Sequence, residues 1–162
     1  LEDRGPIFYS QDRIGKNKKI FKIIKFRTMV PDAEKMTGAI WSTKNDPRIT
    51  IIGQLLRKTA IDEIPQIINI VKGDMSFVGP RAERPELHEK FAREIPDFDK
   101  RLKVIPGLSG LAQIKGSYDL SPKEKLKFDI EYSNKMSLLF DLRIIFISVI
   151  NSLSGRWDQP EN

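Results

Sequence analysis

Two adjacent carboxylates, Asp62 and Glu63, stand out because cations precede them and an amide follows them. Arg57 and Lys58 lie just upstream, and Gln66 lies just downstream. In such a pair one carboxylate can attack phosphorus while the other holds Mg²⁺, a hard cation that prefers oxygen ligands. The pattern therefore indicates chemistry on a phosphate.

The same pair also has a purely structural interpretation. Because proline is tolerated in a first helical turn and not in a helix interior, Pro65 predicts a helix that begins near Asp62. There Asp62 can accept backbone N–H groups or complete a capping box with Thr59. A helix N-terminus also favours a bound phosphate, so the spacing alone leaves both interpretations open.

A carboxylate that approaches a diphosphate needs nearby cations to offset the repulsion between the two anions. The sequence supplies Lys25, Arg27, Arg57 and Arg81 beside its distinctive segments. Any one of these residues is equally typical of a solvated basic surface. Only their convergence on the carboxylate pair would make them functional.

Composition excludes several other classes of site. The chain of 162 residues has no cysteine, so disulfides and thiolate metal sites are excluded, and His88 is its one histidine. A net charge of +6 favours an anionic partner, which allows a nucleic-acid-binding module as an alternative. Because acids are interleaved with the cations and no binding motif is present, we expect no nucleic acid partner.

The hydrophobic pattern predicts an α+β fold that is mostly helical, with an early β-hairpin, in a single domain over residues 1–162. Two apolar segments flank the polar link Gly15–Lys19, which is typical of a hairpin. Residues 31–48 predict a loop with one helical turn near Ala33. The other predicted elements are helices over 52–59, 62–73, 85–93 and 122–135 and turns over 77–81 and 106–110.

The segment over residues 137–153 is apolar on nearly all sides, but it is short for a membrane span and carries Asp141 and Arg143. It can be a buried core helix or a helix that lies in a membrane interface. Both interpretations stay open from the sequence.

Four long segments, taken in order, resemble the motifs of the bacterial sugar transferase family, the monotopic phosphoglycosyl transferases. They read GPIFYSQDRIGKNKKIFKIIKFRTM, NDPRITIIGQLLRKTAIDEIPQIINIVKGDMSFVGPR, IPGLSGLAQIKG and FDIEYSNKMSLLFDLRII. The resemblance runs from about Gly5 to Leu153. Several long motifs in one order are far more specific than a single short one.

The resemblance implies a catalytic domain that moves a sugar 1-phosphate from a nucleotide diphosphosugar, expected to be a UDP-sugar, onto polyprenol phosphate. It implies that Asp62 forms the covalent intermediate, that Glu63 helps to bind Mg²⁺, and that Arg57 takes part in catalysis. The residues that we expect to bind substrate are Lys25, Arg27, Arg81, Pro80, Gln66 and Gln113.

The resemblance also implies a place at the cytoplasmic face of the bacterial inner membrane, in contact with its surface. We expect an upstream membrane segment before Leu1, since members of the family have one. This chain has Ala82 where the family usually has a proline after Arg81. The loss of that proline puts in question how firmly the turn aims the Arg81 side chain.

Overall fold

The computed structural model describes residues 5–33, 35, 46–116 and 120–154. Strands β1 (Phe8–Ile14) and β2 (Ile20–Phe26) form the predicted antiparallel hairpin, and a 3₁₀ turn joins them at Lys16–Lys18. Phe21 and Ile23 of β2 point into the core. The hairpin prediction is confirmed.

The predicted loop over 31–48 lies largely outside the described residues, and its two ends form turns at 31–33 and 47–48.

Helix α1 (Ile51–Lys58) begins where the Thr50 hydroxyl accepts a hydrogen bond from the Gly53 N–H at 2.9 Å. A 3₁₀ segment, Ile61–Gln66, follows, and it continues directly into α2 (Ile67–Val71). The sequence predicted one α-helix from Asp62, so this prediction is wrong for its first five residues, 62–66. Pro65 lacks an N–H to donate, which disfavours regular α-helical bonding there.

A second, parallel sheet occupies the two segments that the sequence predicted as turns. Strand β3 (Ser76–Val78) pairs with β4 (Gly107–Ser109). A Cβ added to Gly107 would lie 2.1 Å from the Gly79 nitrogen, so the two segments approach more closely than a side chain allows. The glycines that indicated turns serve here to bring two backbones together.

The C-terminal half is mostly helical, and the predicted helices over 85–93, 122–135 and 137–153 are confirmed. It contains α3 (Pro85–Glu94), a 3₁₀ segment (Phe98–Lys103), α4 (Leu111–Lys115), α5 (Pro122–Lys135) and α6 (Leu138–Leu153). Helix α5 begins with a capping box between Ser121 and Glu124. With the hairpin and the small parallel sheet, these helices confirm the α+β, mostly helical fold class.

Among the described residues, the buried apolar side chains form three clusters. One joins β2 to Met75 and Ala82, and a second, beneath α6, contains Val78, Tyr132 and Ile144. The third lies between α3, the 3₁₀ segment that follows it, and α5. The first cluster packs β2 against the segment around Arg81, so it fixes two of the predicted site segments relative to each other.

Helix α6 is buried on one face and exposed on the other. Ile144 is fully buried and Ser148 is nearly so. The opposite face exposes large apolar side chains at helical spacing, namely Leu139, Leu142, Phe146, Val149, Ile150 and Leu153. The buried face fits the core-helix interpretation, while the membrane-interface interpretation of the exposed face stays a prediction. Among the described residues, every helix is too short or too polar to cross a membrane.

Candidate active site

Asp62 and Glu63 lie in the first turn of the 3₁₀ segment that follows α1. The turn is set by Ala60, which has a left-handed conformation with φ of 55° and precedes the segment as its N-terminal cap. Residues other than glycine rarely adopt this conformation, so the backbone is strained just before the carboxylates. The left-handed conformation of Ala60 ends α1, and the carboxylate pair follows at the start of the 3₁₀ segment.

The Asp62 carboxylate is buried, with 7% of the residue exposed, and it makes no hydrogen bond or salt bridge with another described residue. Ala60 occupies the capping position without a side-chain bond, and the Thr59 hydroxyl donates to the carbonyls of Leu55 and Leu56. The capping interpretation of Asp62 is therefore wrong. The Asp62 oxygens accept no hydrogen bond from the described backbone.

The Glu63 carboxylate, in contrast, is held by two cations. Lys25 Nζ lies 2.5 Å from Oε1, and the Arg81 guanidinium donates to Oε1 at 2.7 Å and to Oε2 at 3.4 Å. The Lys25 and Glu63 side chains are each about 15% exposed, so water screens their ion pair only partly. Three segments far apart in the sequence thus meet at one carboxylate.

The two carboxylates differ in their pKa because their surroundings differ. Burial raises the pKa of Asp62 to about 6, and the nearby charge of Lys25 opposes this rise only partly. Burial would also raise the pKa of Glu63, but Arg81 and Lys25 together hold it well below its usual range. Glu63 is therefore ionised at neutral pH, while Asp62 gains its charge only above mildly acidic pH.

The pKa values of Lys25 and Arg81 shift in opposite directions beside the carboxylate pair. Burial lowers the pKa of Lys25, and the charge of Glu63 only partly restores it. The charge of Glu63 raises the pKa of Arg81, although burial acts against this effect. The local surplus of positive charge suits an incoming diphosphate.

Asn69 fastens strand β2 to α2, and so keeps Lys25 beside Glu63. Its side-chain amide donates to the Lys22 carbonyl at 2.8 Å and accepts from the Ile24 N–H at 3.2 Å. Asn69 is 1% exposed. Nothing in the sequence indicates this role of Asn69, because an isolated amide gives no signal of a contact between distant segments.

Arg57 reaches the site from the last turn of α1 and is oriented by Thr28, whose hydroxyl accepts from Arg57 Nε at 2.9 Å. Helix α1 can approach Thr28 only because position 53 is glycine: an added Cβ would lie 2.1 Å from the Thr28 carbonyl oxygen. Sequence reasoning missed Thr28, although it lies within the segment KFRTM. The Arg57 charge lies close enough to act on the pKa of Asp62.

The four other residues predicted to bind substrate contact other parts of the chain. Arg27 donates to the backbone carbonyls of Pro6 and Met29. Pro80 and Gln66 are buried, and no described residue bonds to the Gln66 side-chain nitrogen. Gln113 lies on α4, with its amide nitrogen 3.5 Å from the Leu108 carbonyl. The roles of these four residues in substrate binding stay predictions.

The side chains that could bind a metal ion allow only a limited kind of metal site. Among the described residues there is no cluster of three or more acids or histidines that could enclose a metal ion. Asp62 and Glu63 supply carboxylates only, the ligands that Mg²⁺ uses when it keeps several waters and takes its other ligands from substrate phosphates. The residues present thus fit an open magnesium site, in which Glu63 would bind the metal beside its two cations.

Comparison with known proteins gives one consistent result. The profile of the family described as Bacterial sugar transferase matches residues 1–155. The UDP-N-acetylgalactosamine-undecaprenyl-phosphate N-acetylgalactosaminephosphotransferase of Aeromonas hydrophila is 39% identical over 96% of the chain and 37% of its own length. The UDP-glucose:undecaprenyl-phosphate glucose-1-phosphate transferase of Escherichia coli is 39% identical over 96% of the chain and 34% of its own length.

A third relative, the exopolysaccharide production protein PSS of Rhizobium leguminosarum, is 36% identical over 95% of the chain and 81% of its own length. The chain therefore spans about a third of the first two relatives and about four fifths of the third. In each case the similarity covers nearly the whole chain, including all the segments that meet at Glu63.

Proposed function

The chain belongs to the bacterial sugar transferase family, and on this basis we propose that it transfers a sugar 1-phosphate from a UDP-sugar to undecaprenyl phosphate. The observation that carries the proposal is the contrast between the two adjacent carboxylates. Asp62 has no bond to a described residue, whereas Glu63 is held by Lys25 and Arg81. Two relatives are named for this donor class and this acceptor.

In the first half-reaction, an oxygen of the Asp62 carboxylate attacks the phosphorus that bears the sugar. A bond forms between that oxygen and the phosphorus, and the bond from the phosphorus to the oxygen bridging the two phosphates breaks. The nucleoside monophosphate leaves with the electron pair of this bond, and the sugar phosphate stays on Asp62. Arg81, Lys25 and Arg57 stabilise the negative charge of the diphosphate as it reacts.

In the second half-reaction, a phosphate oxygen of the polyprenol phosphate attacks the same phosphorus. The bond to Asp62 breaks, the carboxylate is regenerated, and the polyprenyl diphosphosugar departs. Division into two steps lets two anionic substrates use one electropositive site in turn, so the nucleotide leaves before the acceptor phosphate enters. Asp62 has no bond to a described residue, which suits a group that must gain and lose a covalent bond in each cycle.

We propose Mg²⁺ as the cofactor, with Glu63 as its ligand from this chain. When bound, the ion would neutralise charge on the phosphates of the donor. Glu63 suits this role because its carboxylate is ionised at neutral pH. Lys25 and Arg81 keep that carboxylate in a fixed position while one of its oxygens is shared.

We further propose that residues 1–162 form one catalytic domain that works at the cytoplasmic face of the inner membrane. The exposed apolar face of α6 supports a membrane contact. A second exposed apolar surface surrounds the carboxylate pair itself, and its members are Ile61, Ile64, Ile67, Ile68 and Val71. Apolar side chains beside the nucleophile suit an acceptor whose lipid chain stays in the membrane.

The test is a screen of UDP-sugars and other nucleotide sugars against the full-length protein in detergent, with undecaprenyl phosphate as acceptor. We expect one donor to release nucleoside monophosphate. Release of nucleoside diphosphate instead would mean that the sugar alone is transferred, which contradicts the proposed reaction.

A further inference from the structure

The backbone that carries Arg81 is held at four consecutive carbonyl groups. The Pro80 carbonyl accepts the Gly107 N–H at 3.0 Å, and the Glu83 carbonyl accepts the Ile14 N–H at 2.9 Å. Between them, the Arg81 carbonyl accepts Arg101 Nη2 at 2.9 Å, and the Ala82 carbonyl accepts Arg13 Nη1 at 3.0 Å. Each bond comes from outside the segment, and the two central bonds come from arginine side chains.

Arg101 is itself fixed by buried partners. Its Nε donates to Asp129 Oδ2 at 2.8 Å, and its Nη1 lies 3.7 Å from Glu83 Oε1. The side chains of Arg101 and Asp129 are each 3% exposed, and the Arg101 guanidinium lies over the Phe98 ring. A buried guanidinium needs such partners, and its planar fork lets it bond in several directions from one position.

The residue that follows Arg81 adds no rigidity of its own. A proline there would restrict the backbone by its ring, whereas Ala82 does not. In this chain the Ala82 side chain is buried beside Phe21, Ile23 and Met75, and its carbonyl is held by Arg13. The direction of the long Arg81 side chain depends on this backbone, because 44% of the side chain is exposed and its hydrogen bonds go to Glu63, at the far end of the guanidinium.

We propose that Arg101 and Arg13 are positioning residues that hold the backbone of Arg81 and Ala82, and so aim the Arg81 guanidinium at Glu63 and at the donor phosphates. This inference rests on the proposed function only for its effect on turnover. The clamp on the backbone does not depend on which reaction the site performs.

The decisive variant is Arg101→Lys. Lysine keeps the positive charge beside Asp129, but its single ammonium group cannot replace bonds that leave the guanidinium in several directions. A small displacement of a positioning group is enough to slow an enzyme strongly, so we expect kcat for nucleoside monophosphate release to fall roughly 10-fold to 100-fold. The matched control is Arg93→Lys on α3, where the side chain is 82% exposed, and we expect it to keep the wild-type kcat.

A double-mutant cycle with Arg81→Gln separates positioning from general damage. If Arg101 acts through Arg81, then Arg101→Lys lowers kcat in the parent but changes it less than about 2-fold when Arg81 is already replaced. An equal fall in both backgrounds, or wild-type kcat for Arg101→Lys, overturns the proposal. Should Arg101→Lys melt below the assay temperature, Arg13→Lys takes its place in the same cycle.

Amide hydrogen exchange tests the clamp without any turnover. The N–H groups of Gly107 and Ile14 bond to the segment on either side of the arginine contacts. We expect Arg101→Lys to speed exchange at these two amides and Arg93→Lys to leave it unchanged. Unchanged exchange in Arg101→Lys overturns the clamp. Absence of nucleoside monophosphate release from the wild type would refute the proposed function, and the exchange result would still decide the clamp.

Discussion

Lys25 and Glu63 lie 38 positions apart in the chain, yet Lys25 Nζ lies 2.5 Å from Glu63 Oε1. The contact exists because β2 packs against the 3₁₀ segment that contains Glu63, and Asn69 on the adjoining helix α2 bonds to the backbone on both sides of Ile23. Arg81 completes the arrangement from a third segment. The result is one carboxylate fixed by two cations next to one, Asp62, that no described residue holds.

Replacement of Asp62 with Asn should abolish turnover, because the amide cannot act as the nucleophile. We expect activity to fall by several orders of magnitude, and intact-mass analysis with donor alone should show a phosphosugar adduct on the wild type and none on the variant. Asp12→Asn, at an exposed ion pair with Lys22, is the matched control. An adduct that maps to another residue would remove Asp62 from its proposed role.

The same Asp62→Asn variant should be more stable than the wild type in metal-free buffer at pH 8. Burial raises the pKa of Asp62 to about 6, above its unfolded value, so its ionised form disfavours the folded state. The cost appears as pH rises through this interval, and the neutral amide does not incur it. We expect a gain on the order of 1 kcal/mol, measured by thermal unfolding, that disappears near pH 4.

Glu63→Gln should separate metal binding from ion pairing. The amide keeps the size of the side chain but loses the charge that holds both cations and that we propose for the metal. We expect the maximal rate to fall roughly 100-fold and the Mg²⁺ concentration for half-maximal rate to rise. If the variant loses only thermal stability and titrates with Mg²⁺ like the wild type, Glu63 is a structural partner of Lys25 and Arg81.

Asp46 should contribute stability that is lost in acid. Arg48 donates to both of its oxygens, and these bonds lower the pKa of Asp46 to about 2. A depressed pKa gives stability that is complete above the unfolded value near 4 and lost as pH falls toward 2. We expect Asp46→Asn to lower the free energy of unfolding by roughly 1 kcal/mol at pH 7. A difference that persists unchanged at pH 2 would show that the charge is not responsible.

The exposed face of α6 should bind lipid. Leu139 is 81% exposed, so Leu139→Glu should leave the melting temperature unchanged while it weakens binding to vesicles that contain anionic lipid. Flotation with the vesicles is the measurement. Asn134→Glu, which adds the same charge on the exposed side of α5, is the control. Equal binding by both variants would exclude α6 from the membrane contact.

The sequence alone was enough to predict the hairpin, the α3, α5 and α6 helices and the family. These features depend on local information: turn residues between apolar strands, capping signals, helical periodicity and long ordered motifs. The carboxylate pair was also visible, because two adjacent acids beside cations are local too. The parallel pairing of β3 with β4 was not predicted, since each strand has three residues and its glycines are equally typical of turns.

Only the tertiary structure decided how the candidate residues divide their work. From the sequence, Asp62 was compatible with an N-terminal cap as well as with a nucleophile. In the structure the left-handed Ala60 occupies the capping position, and nothing local predicts an alanine in that conformation. Likewise Lys25 and Arg81 reach Glu63 while Arg27 bonds to backbone carbonyls, although all three are cations in distinctive segments. Which charges meet depends on how distant segments pack, and the free energy of that packing comes from core contacts such as those of Phe21 and Ala82 rather than from the charged residues themselves.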